Sequence, residues 1–319
     1  MFCKNMENNI KILRNKFSKL PFFVRVFQQN KKILIWNDFD IKFSIQLDDL
    51  LKYNIDEFVS KTKEIFSKNI EEKYSKIKSR KISVIIPNYN NEKTLPMTIN
   101  SVLNNNYSDI EIIVVDDCST DHSVEVVRKN FGDNPKVNLI INSENRGTYY
   151  CRNMGILNSS GYYITIVDGD DYIDKDKYIF EQNYLEKLKV WGFGTGYERI
   201  YYENELTNVI KKEHLKTWLP KYLFYRKLFN YIGFFQNNRF GADSEFVVRA
   251  QKFGFPIKDL PNKVFYHAYT TNGKNLTKIY SGAQRRVWFE RRKKIIDQRD
   301  YIEMAFIDNE KDFFNLIKS

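Results

Sequence analysis

The sequence is poor in the residues that build metal clusters and disulfide frameworks. It has three cysteines, Cys3, Cys118 and Cys151, and three histidines among 319 residues. An odd number of cysteines without metal-ligand spacing argues against a disulfide framework and indicates a reducing compartment. The absence of any cluster of histidine and cysteine also leaves the sequence without a zinc site.

Long apolar runs are missing as well. No stretch approaches the roughly 20 apolar residues of a transmembrane helix, and lysine and arginine interrupt the N-terminus where a signal peptide would be apolar. We therefore predict a cytoplasmic protein. Apolar residues at helical spacing over residues 10–27, with basic residues between them, leave two alternatives open. This helix packs against the next domain, or it makes a peripheral contact with an anionic membrane.

Acidic residues are fewer than basic ones, and the formal net charge is +11. Such a charge suits an anionic partner, for example nucleic acid, an acidic membrane surface or a phosphorylated substrate, without choosing among them. The excess consists largely of lysines scattered among asparagine and isoleucine, and most of the net charge lies in residues 1–80. Net charge is the only feature that suggests nucleic-acid binding. We therefore expect no nucleic-acid partner.

Glycine is absent where a phosphate-binding loop would need it. The first strand of the repeating region is followed by PNYNNEKT, which contains no glycine. This excludes the G-x-G-x-x-G turn of a dinucleotide-binding Rossmann domain and the P-loop. It also counts against a nucleotidyltransferase, for which a glycine-rich loop is expected near the first strand.

Strands and helices alternate from Lys81 onward. Apolar runs such as KISVIIPN, DIEIIVVDD, VNLII and YYITIVD are separated by segments with helical periodicity. This order predicts an α/β fold with a mainly parallel sheet flanked by helices, and ligands at the carboxyl ends of the strands. We predict three regions: a mostly helical accessory region over 1–80, with one strand near 41–47; the α/β domain over 81–270; and a helical tail over 271–319.

Polar side chains follow each of these strands, where a ligand is expected. The candidates for binding a nucleotide come after the first three strands and from the following helix: Pro87, Tyr89, Asn90, Asp116, Asp117, Arg146 and Arg152. Aspartate and asparagine can pair with a base or ribose, a tyrosine ring can stack, and arginine can neutralise phosphate.

The fourth strand ends in the sequence DGDD. In an extended chain Asp168 and Asp170 project to one side and Asp171 to the other, and Gly169 leaves room for a ligand near the backbone. Two carboxylates on one face repel unless a cation or ligand donors lie between them. The alternative is a solvated turn, since aspartate and glycine are ordinary turn residues.

Four segments in this order, ISVIIPNYN, IIVVDDCSTD, NRGTYYCRNMGI and ITIVDGDD, resemble the family 2 glycosyltransferases with the GT-A fold. The resemblance is strong over about residues 81 to 175 and continues to about residue 270. It implies that Tyr89, Asp116 and Asp117 hold the base and ribose of a nucleotide-sugar. It also implies that Asp168 and Asp170 serve the ribose and a divalent metal, Mn²⁺ or Mg²⁺. The reaction expected is direct displacement with inversion at the anomeric carbon.

The same resemblance extends to GADSEF. The family usually has two acidic residues here, the second acting as general base, whereas this chain has Ala242 and Asp243. Asp243 is therefore the candidate base, although an N-cap role is the alternative. Glu245 would face away from it on a helix. His267 is a candidate metal or diphosphate ligand, with a hydrogen-bonded structural histidine as the alternative.

Together these features predict a metal-dependent inverting glycosyltransferase. It would use a nucleotide-sugar, with UDP the expected nucleotide, and a glycan, lipid-linked or protein acceptor. The missing acid at Ala242 leaves a catalytically inactive nucleotide-sugar or glycan-binding module as the alternative.

Overall fold

The computed structural model describes residues 25–29, 32–37, 41–46, 54–202, 209–215, 222–236 and 241–271. The strands in this part of the chain are β1 Arg25–Gln29, β2 Lys32–Asn37, β3 Ile41–Gln46, β4 Ile82–Asn88, β5 Ile110–Asp116, β6 Val137–Ile141, β7 Tyr163–Ile166, β8 Tyr172–Ile173, β9 Gly192–Tyr202, β10 Val209–Leu215, β11 Tyr222–Tyr225 and β12 Ile257–Thr271. The helices are α1 Ile55–Ser75, α2 Leu95–Leu103, α3 Ser123–Phe131, α4 Thr148–Leu157, α5 Lys177–Leu188, α6 Lys227–Ile232 and α7 Ala242–Lys252.

The chain divides into two structural units. The first includes β1 to β3, α1 and the short α6, and the second includes the described residues of 79–226 and 235–271. In the first unit β1, β2 and β3 form an antiparallel sheet in that order. Helix α1 contacts α6, where the Tyr74 hydroxyl donates to Asn230 Oδ1 at 2.6 Å and the Tyr231 hydroxyl donates to Glu71 at 2.8 Å.

The second unit is built on one large sheet with strand order β6-β5-β4-β7-β11-β9-β12-β8, and β10 pairs with β9. The first four strands of this order are parallel, as predicted. Strand β11 then runs antiparallel to both β7 and β9, while β12 is parallel to β9 and antiparallel to β8. The sheet is therefore mixed, with its parallel part in the N-terminal half.

The parallel half follows from the sequence. All seven residues of β4 are buried, because helices cover a parallel sheet on both faces, and its apolar run is correspondingly continuous. Pro87 is part of this strand and does not end it as the sequence suggested. A proline lacks the N–H that a central strand needs, but the pairing with β7 stops at Ile85, so this donor is not missed.

The N-terminal region agrees with the sequence prediction only in part. The prediction of a helix that reaches Phe27 is wrong, because residues 25–29 pair with β2 as a strand. Pairing with β2 outweighs the helical spacing of the apolar residues at this point of the chain. The strand predicted near 41–47 is present as β3.

The basic stretch before residue 25 and the predicted helical tail after residue 271 lie outside the described residues. Among the described helices, none has the length and hydropathy needed to cross a membrane.

Helix α4 lies very close to strand β4. A Cβ atom added to Gly155 would come within 2.3 Å of Ile85 Cγ2, and both residues are buried. Real side chains do not approach so closely, so glycine at this position sets the distance between helix and sheet. The same helix carries the polar side chains Tyr149, Arg152 and Asn153.

We predict that Gly155→Ala destabilises the protein. Alanine normally stabilises a helix relative to glycine by about 1 kcal/mol, but here the methyl group would overpack the core at a cost of about 1–3 kcal/mol. Chemical denaturation should show a lower free energy of unfolding. The exposed Lys129→Ala on α3 is the helix control and should change it by less than about 0.5 kcal/mol. A more stable Gly155→Ala protein would contradict this packing.

Candidate active site

The polar residues predicted to bind a ligand lie at the carboxyl ends of β4, β5 and β7, which are neighbours in the sheet. Asp116 is 1% exposed and accepts three hydrogen bonds, from Asn88 Nδ2 at 2.8 Å and from the Ser119 hydroxyl and N–H at 2.6 and 2.9 Å. These bonds tie the end of β5 to the end of β4. Asp116 thus fixes the turns that carry Tyr89, Asn90 and Ser119.

Asp117 holds the segment that leads into helix α4. Its Oδ1 accepts from the Arg146 N–H at 2.8 Å and from Asn142 Nδ2 at 2.9 Å, and its Oδ2 accepts from the Gly147 N–H at 2.7 Å. Gly147 has a φ of 94°, which glycine adopts without the steric cost of a Cβ. The buried carboxylate of Asp117 therefore fixes where α4 begins.

Tyr89 and Asn90 follow β4 at the surface. The Tyr89 side chain is 46% exposed, which leaves its ring accessible for stacking. Asn90 has a φ of 56°, its N–H donates to the Ser119 hydroxyl at 2.9 Å, and its side chain accepts from the Thr120 N–H at 2.8 Å. Arg146 pairs with Glu144 at 2.7 Å and lies over the Tyr150 ring.

The segment Asp168 to Asp171 is a turn, and the expectation of an extended chain is wrong. Strand β7 ends at Ile166, and the Asp171 N–H donates to the Asp168 carbonyl at 3.0 Å. A Cβ on Gly169 would meet Asn88 Oδ1 at 2.9 Å and the Pro87 carbonyl at 3.2 Å. The glycine therefore allows close packing against the end of β4, a reason different from the predicted room for a ligand.

Arg152 and Asp168 form an ion pair inside this cluster. Arg152 Nη2 lies 2.8 Å from Asp168 Oδ1, and the side chains are 4% and 20% exposed. Burial lowers the pKa of Arg152, but the charge and hydrogen bond of Asp168, together with Tyr149 and the charge of Asp243, raise it above its usual value. The Arg152 Nε is buried and has no hydrogen-bond partner among the described residues. Arg152 is thus a fixed positive charge beside the acidic turn, which is the segment Asp168 to Asp171.

Asp170 lies next to this pair, and no basic side chain in the described part of the chain pairs with it. Burial, together with the charge of Asp168, raises the pKa of Asp170 to about 7. Asp171 is held by β12, since Tyr266 Oη donates to it at 2.7 Å and the Tyr269 N–H at 3.0 Å. Burial and the neighbouring acids raise the pKa of Asp171 too. Among the described residues Asp170 therefore has no basic partner, whereas Asp171 is fixed to β12.

His267 is not brought to the acidic turn. It follows Tyr266 on β12, so its side chain alternates to the opposite face from the one that contacts Asp171. Its ring nitrogens lie 3.1 Å from Asp174 Oδ1 and 3.4 Å from Glu198 Oε2. These contacts match the structural alternative for this histidine. No group of three histidine, cysteine, aspartate or glutamate side chains suited to a metal occurs in the described residues.

Asp243 lies in the first turn of α7 and does not act as its N-cap. The N-cap is Gly241, and Asp243 Oδ1 accepts from the neighbouring Ser244 N–H at 2.9 Å and from Tyr149 Oη at 3.2 Å. Glu245 is buried and pairs with Arg249 one turn later, at 2.9 Å. As the helical spacing predicted, Glu245 is thus directed elsewhere and does not replace Asp243.

Tyr149 and Asn153 on α4 are site residues that the sequence analysis missed. Tyr149 contacts Asp243, and the Arg152 guanidinium lies 5.0 Å from the centre of its ring. Asn153 exchanges two hydrogen bonds with the backbone of Phe235, at 2.8 and 3.1 Å. Positions 149, 152 and 153 share one helical face, which was a usable signal. Helix α4 therefore connects Asp168 with Asp243.

The matches to known proteins agree with this geometry. The family model described as "Glycosyl transferase family 2" matches residues 83–246, which is about half of the chain. The chain belongs to glycosyl transferase family 2. The resemblance found in the sequence is confirmed, and the matched range extends from β4 into α7, so it includes both the acidic turn and Asp243.

Two curated relatives belong to bacteria. An uncharacterized glycosyltransferase of Haemophilus influenzae is 39% identical over 104 residues, which are 33% of this chain and 42% of the relative. The poly(ribitol-phosphate) beta-N-acetylglucosaminyltransferase TarS of Staphylococcus aureus is 26% identical over 217 residues, which are 63% of this chain and 37% of TarS. The chain thus spans less than two thirds of these relatives.

Two solved structures share the fold. TarS 1-349 in complex with UDP-GlcNAc has a TM-score of 0.57 and 23% identity, with 73% of this chain and 69% of that chain covered. The mannosyltransferase PcManGT of Pyrobaculum calidifontis, in complex with GDP-Man and Mn²⁺, has a TM-score of 0.53 and 18% identity, with 73% and 75% covered. They confirm the predicted GT-A architecture, with the mixed sheet described above.

The acidic turn of this family 2 chain fits the predicted divalent cation. Asp170 supplies carboxylate oxygens that pair with no basic side chain in the described part of the chain, and Asp168 adds a second carboxylate beside it. Mg²⁺ and related hard cations take oxygen ligands, and they commonly complete their coordination with substrate phosphates and water. Two protein carboxylates are therefore enough for a metal that arrives with a nucleotide.

We predict a pH-dependent stability that depends on Asp170. Its pKa is raised from 3.8 to about 7 in the folded chain, so between these values the unfolded chain ionises Asp170 while the folded chain keeps it protonated. Folding stability should therefore fall as the pH rises through this window and stay lower above it. The melting temperature of Asp170→Asn should exceed that of wild type at pH 8 by more than at pH 5.

Mn²⁺ should reverse this difference in melting temperature, because the cation supplies a positive charge beside Asp170. At pH 8, Mn²⁺ with UDP should raise the melting temperature of wild type more than that of Asp170→Asn. The exposed Asp133→Asn serves as control and should behave as wild type at both pH values. Equal pH dependence in wild type and Asp170→Asn would contradict the position assigned to this carboxyl.

Proposed function

We propose that the chain is a metal-dependent inverting glycosyltransferase that moves a sugar from a nucleotide-sugar to an acceptor hydroxyl. The observation that carries the proposal is the pairing of Asp168 with Arg152, next to the contact of Tyr149 with Asp243. Side chains of helix α4 thus contact both Asp168, expected on the donor side, and Asp243, expected on the acceptor side.

The donor is proposed to bind across the ends of β4 and β5. Tyr89 offers an exposed ring for the base, and Asp116 and Asp117 fix the turns that follow the neighbouring strand β5. Arg146 and Arg152 supply positive charge for the diphosphate. We propose a UDP-sugar because the TarS structure that shares this fold contains UDP-GlcNAc.

Asp168 and Asp170 are proposed to hold the metal, for which the Mn²⁺ of the PcManGT complex is a precedent. When bound, the cation would act as a Lewis acid that stabilises the diphosphate leaving group. Arg152 pairs with Asp168 and keeps this carboxylate in place. Asp170 then offers oxygens that no basic residue in the described chain neutralises, so it is the carboxylate most dependent on the metal.

Asp243 is proposed as the general base. It would take the proton of the acceptor hydroxyl as the acceptor oxygen bonds to the anomeric carbon. The bond between that carbon and the diphosphate oxygen breaks in the same displacement, and its electron pair leaves with the nucleoside diphosphate. Attack opposite to the leaving group inverts the anomeric configuration. The acceptor is proposed to be a glycan, a lipid-linked sugar or a protein, and the cytoplasmic location stays a prediction.

One observation favours a catalytically inactive binding module as the second candidate. Ala242 replaces the first acid that the family usually has, and this position is fully buried at the start of α7. No carboxylate therefore supports Asp243 from this side. Binding of a nucleotide-sugar without turnover, over a broad panel of acceptors with Mn²⁺, would favour this candidate over the enzyme.

We predict that Asp243→Asn separates catalysis from binding. Loss of a general base should lower kcat by about 10²–10⁴-fold, because asparagine cannot take the acceptor proton. The affinity for UDP, measured by calorimetry, should stay within about twofold, since Asp243 is expected to contact the acceptor side. The surface variant Asp133→Asn should keep both values. Full turnover in Asp243→Asn would refute the base, and loss of UDP binding would show a structural role.

We predict that Asp170→Asn changes the metal dependence of the reaction. We expect it to abolish the stimulation of transfer by Mn²⁺, because the amide removes the carboxylate charge that attracts the cation. Initial rates measured across a Mn²⁺ titration give this directly. A metal dependence equal to that of wild type would place the metal elsewhere.

A further inference from the structure

We infer that Tyr149 is a positioning residue that holds the carboxylate of Asp243 and links it to the donor side of the site. This inference rests on the proposed function of Asp243 as general base. The relevant contact is the hydrogen bond from Tyr149 Oη to Asp243 Oδ1, at 3.2 Å. No motif in the sequence marks Tyr149 for this task.

The hydrogen bonds on Asp243 define which of its oxygens is left for an acceptor. Tyr149 Oη and the Ser244 N–H both donate to Oδ1. Among the described residues Oδ2 receives no hydrogen bond. Two donors on one oxygen restrict rotation of the carboxylate, so Oδ2 becomes the oxygen that can take the acceptor proton. The orientation of a general base strongly affects the reaction rate, because a misplacement of about 1 Å can lower the rate by about 10²-fold.

Tyr149 is itself fixed in place. Its side chain is 7% exposed, and the Arg152 guanidinium lies 5.0 Å from its ring centre. Burial, followed by the charge of Asp243, raises the pKa of Tyr149, so its hydroxyl stays protonated as a donor. Because Arg152 also pairs with Asp168, the ring of Tyr149 lies between the acidic turn and the base.

A second connection keeps α7 at the correct distance from α4. Asn153 holds the backbone of Phe235 through two hydrogen bonds, and the Phe235 ring packs against Phe246 of α7 at 4.7 Å between ring centres. The Tyr149 ring lies 6.3 Å from the same Phe235 ring. Removal of the Tyr149 hydroxyl alone should therefore leave the two helices in place. This makes Tyr149→Phe a test of the hydrogen bond and not of the packing.

The test is a double-mutant cycle in the full-length chain. Rates of UDP release from UDP-GlcNAc with Mn²⁺, with water or a glycan as acceptor, and calorimetric UDP affinities are measured for wild type, Tyr149→Phe, Asp243→Asn and the double variant. We expect Tyr149→Phe to lower kcat about 10-fold, the usual loss for a hydrogen bond to a charged group. The UDP affinity should stay within about twofold. In the Asp243→Asn background the same change should have little further effect.

Tyr178→Phe is the matched control. Tyr178 is also buried, and its hydroxyl has no hydrogen-bond partner among the described residues, so its removal should leave kcat unchanged. A merely structural role of Tyr149 would lower the melting temperature and the UDP affinity together with kcat, and it would do so in both backgrounds. That pattern would overturn the inference.

The outcomes separate this inference from the proposed function. A wild-type kcat in Tyr149→Phe, in an enzyme that Asp243→Asn inactivates, would refute the role of Tyr149 and leave the proposed base intact. Absence of turnover in wild type with every donor and acceptor would instead contradict the proposed function, and the role of Tyr149 with it.

Discussion

The arrangement of the site depends on one buried positive charge. Arg152 is almost completely buried, and it is stable there because Asp168 pairs with it and the Tyr149 ring lies against it. A buried guanidinium without such partners would be strongly destabilising. The requirement to satisfy this charge therefore fixes the acidic turn on one side of helix α4 and a tyrosine on the same helical face. That tyrosine, Tyr149, in turn donates a hydrogen bond to Asp243.

The position of α4 is in turn set by contacts near both of its ends. At its start, Asp117 accepts the N–H groups of Arg146 and Gly147. Near its end, Gly155 lets the helix approach Ile85 of the central strand. The helix is thus held by the same strands, β4 and β5, whose carboxyl ends carry the proposed nucleotide-binding residues. A displacement of α4 would disturb the donor and acceptor sides together.

Much of this could be predicted from the sequence, and the remainder follows from contacts between distant segments. The parallel half of the sheet has local signals, such as the apolar runs of β4, β5 and β7, and the polar residues that follow these strands were found from the same pattern. The reversal at β11 has no such signal, because pairing partners decide strand direction. Tyr149 was missed because its partner, Asp243, is 94 residues away. The contacts of His267 with Asp174 and Glu198 could not be predicted, because both partners are distant in the sequence, and its role as a ligand stays a prediction.

The central claim is that Asp168 and Asp170 bind the metal of a nucleotide-sugar while Arg152 keeps Asp168 in place. The most direct measurement is a crystal structure with UDP and Mn²⁺, with an anomalous difference map recorded for manganese. We predict an anomalous peak within about 2.5 Å of a carboxylate oxygen of Asp170, with the Arg152 and Asp168 pair retained and UDP across the ends of β4 and β5. A peak remote from both aspartates, with UDP bound elsewhere, would contradict this account.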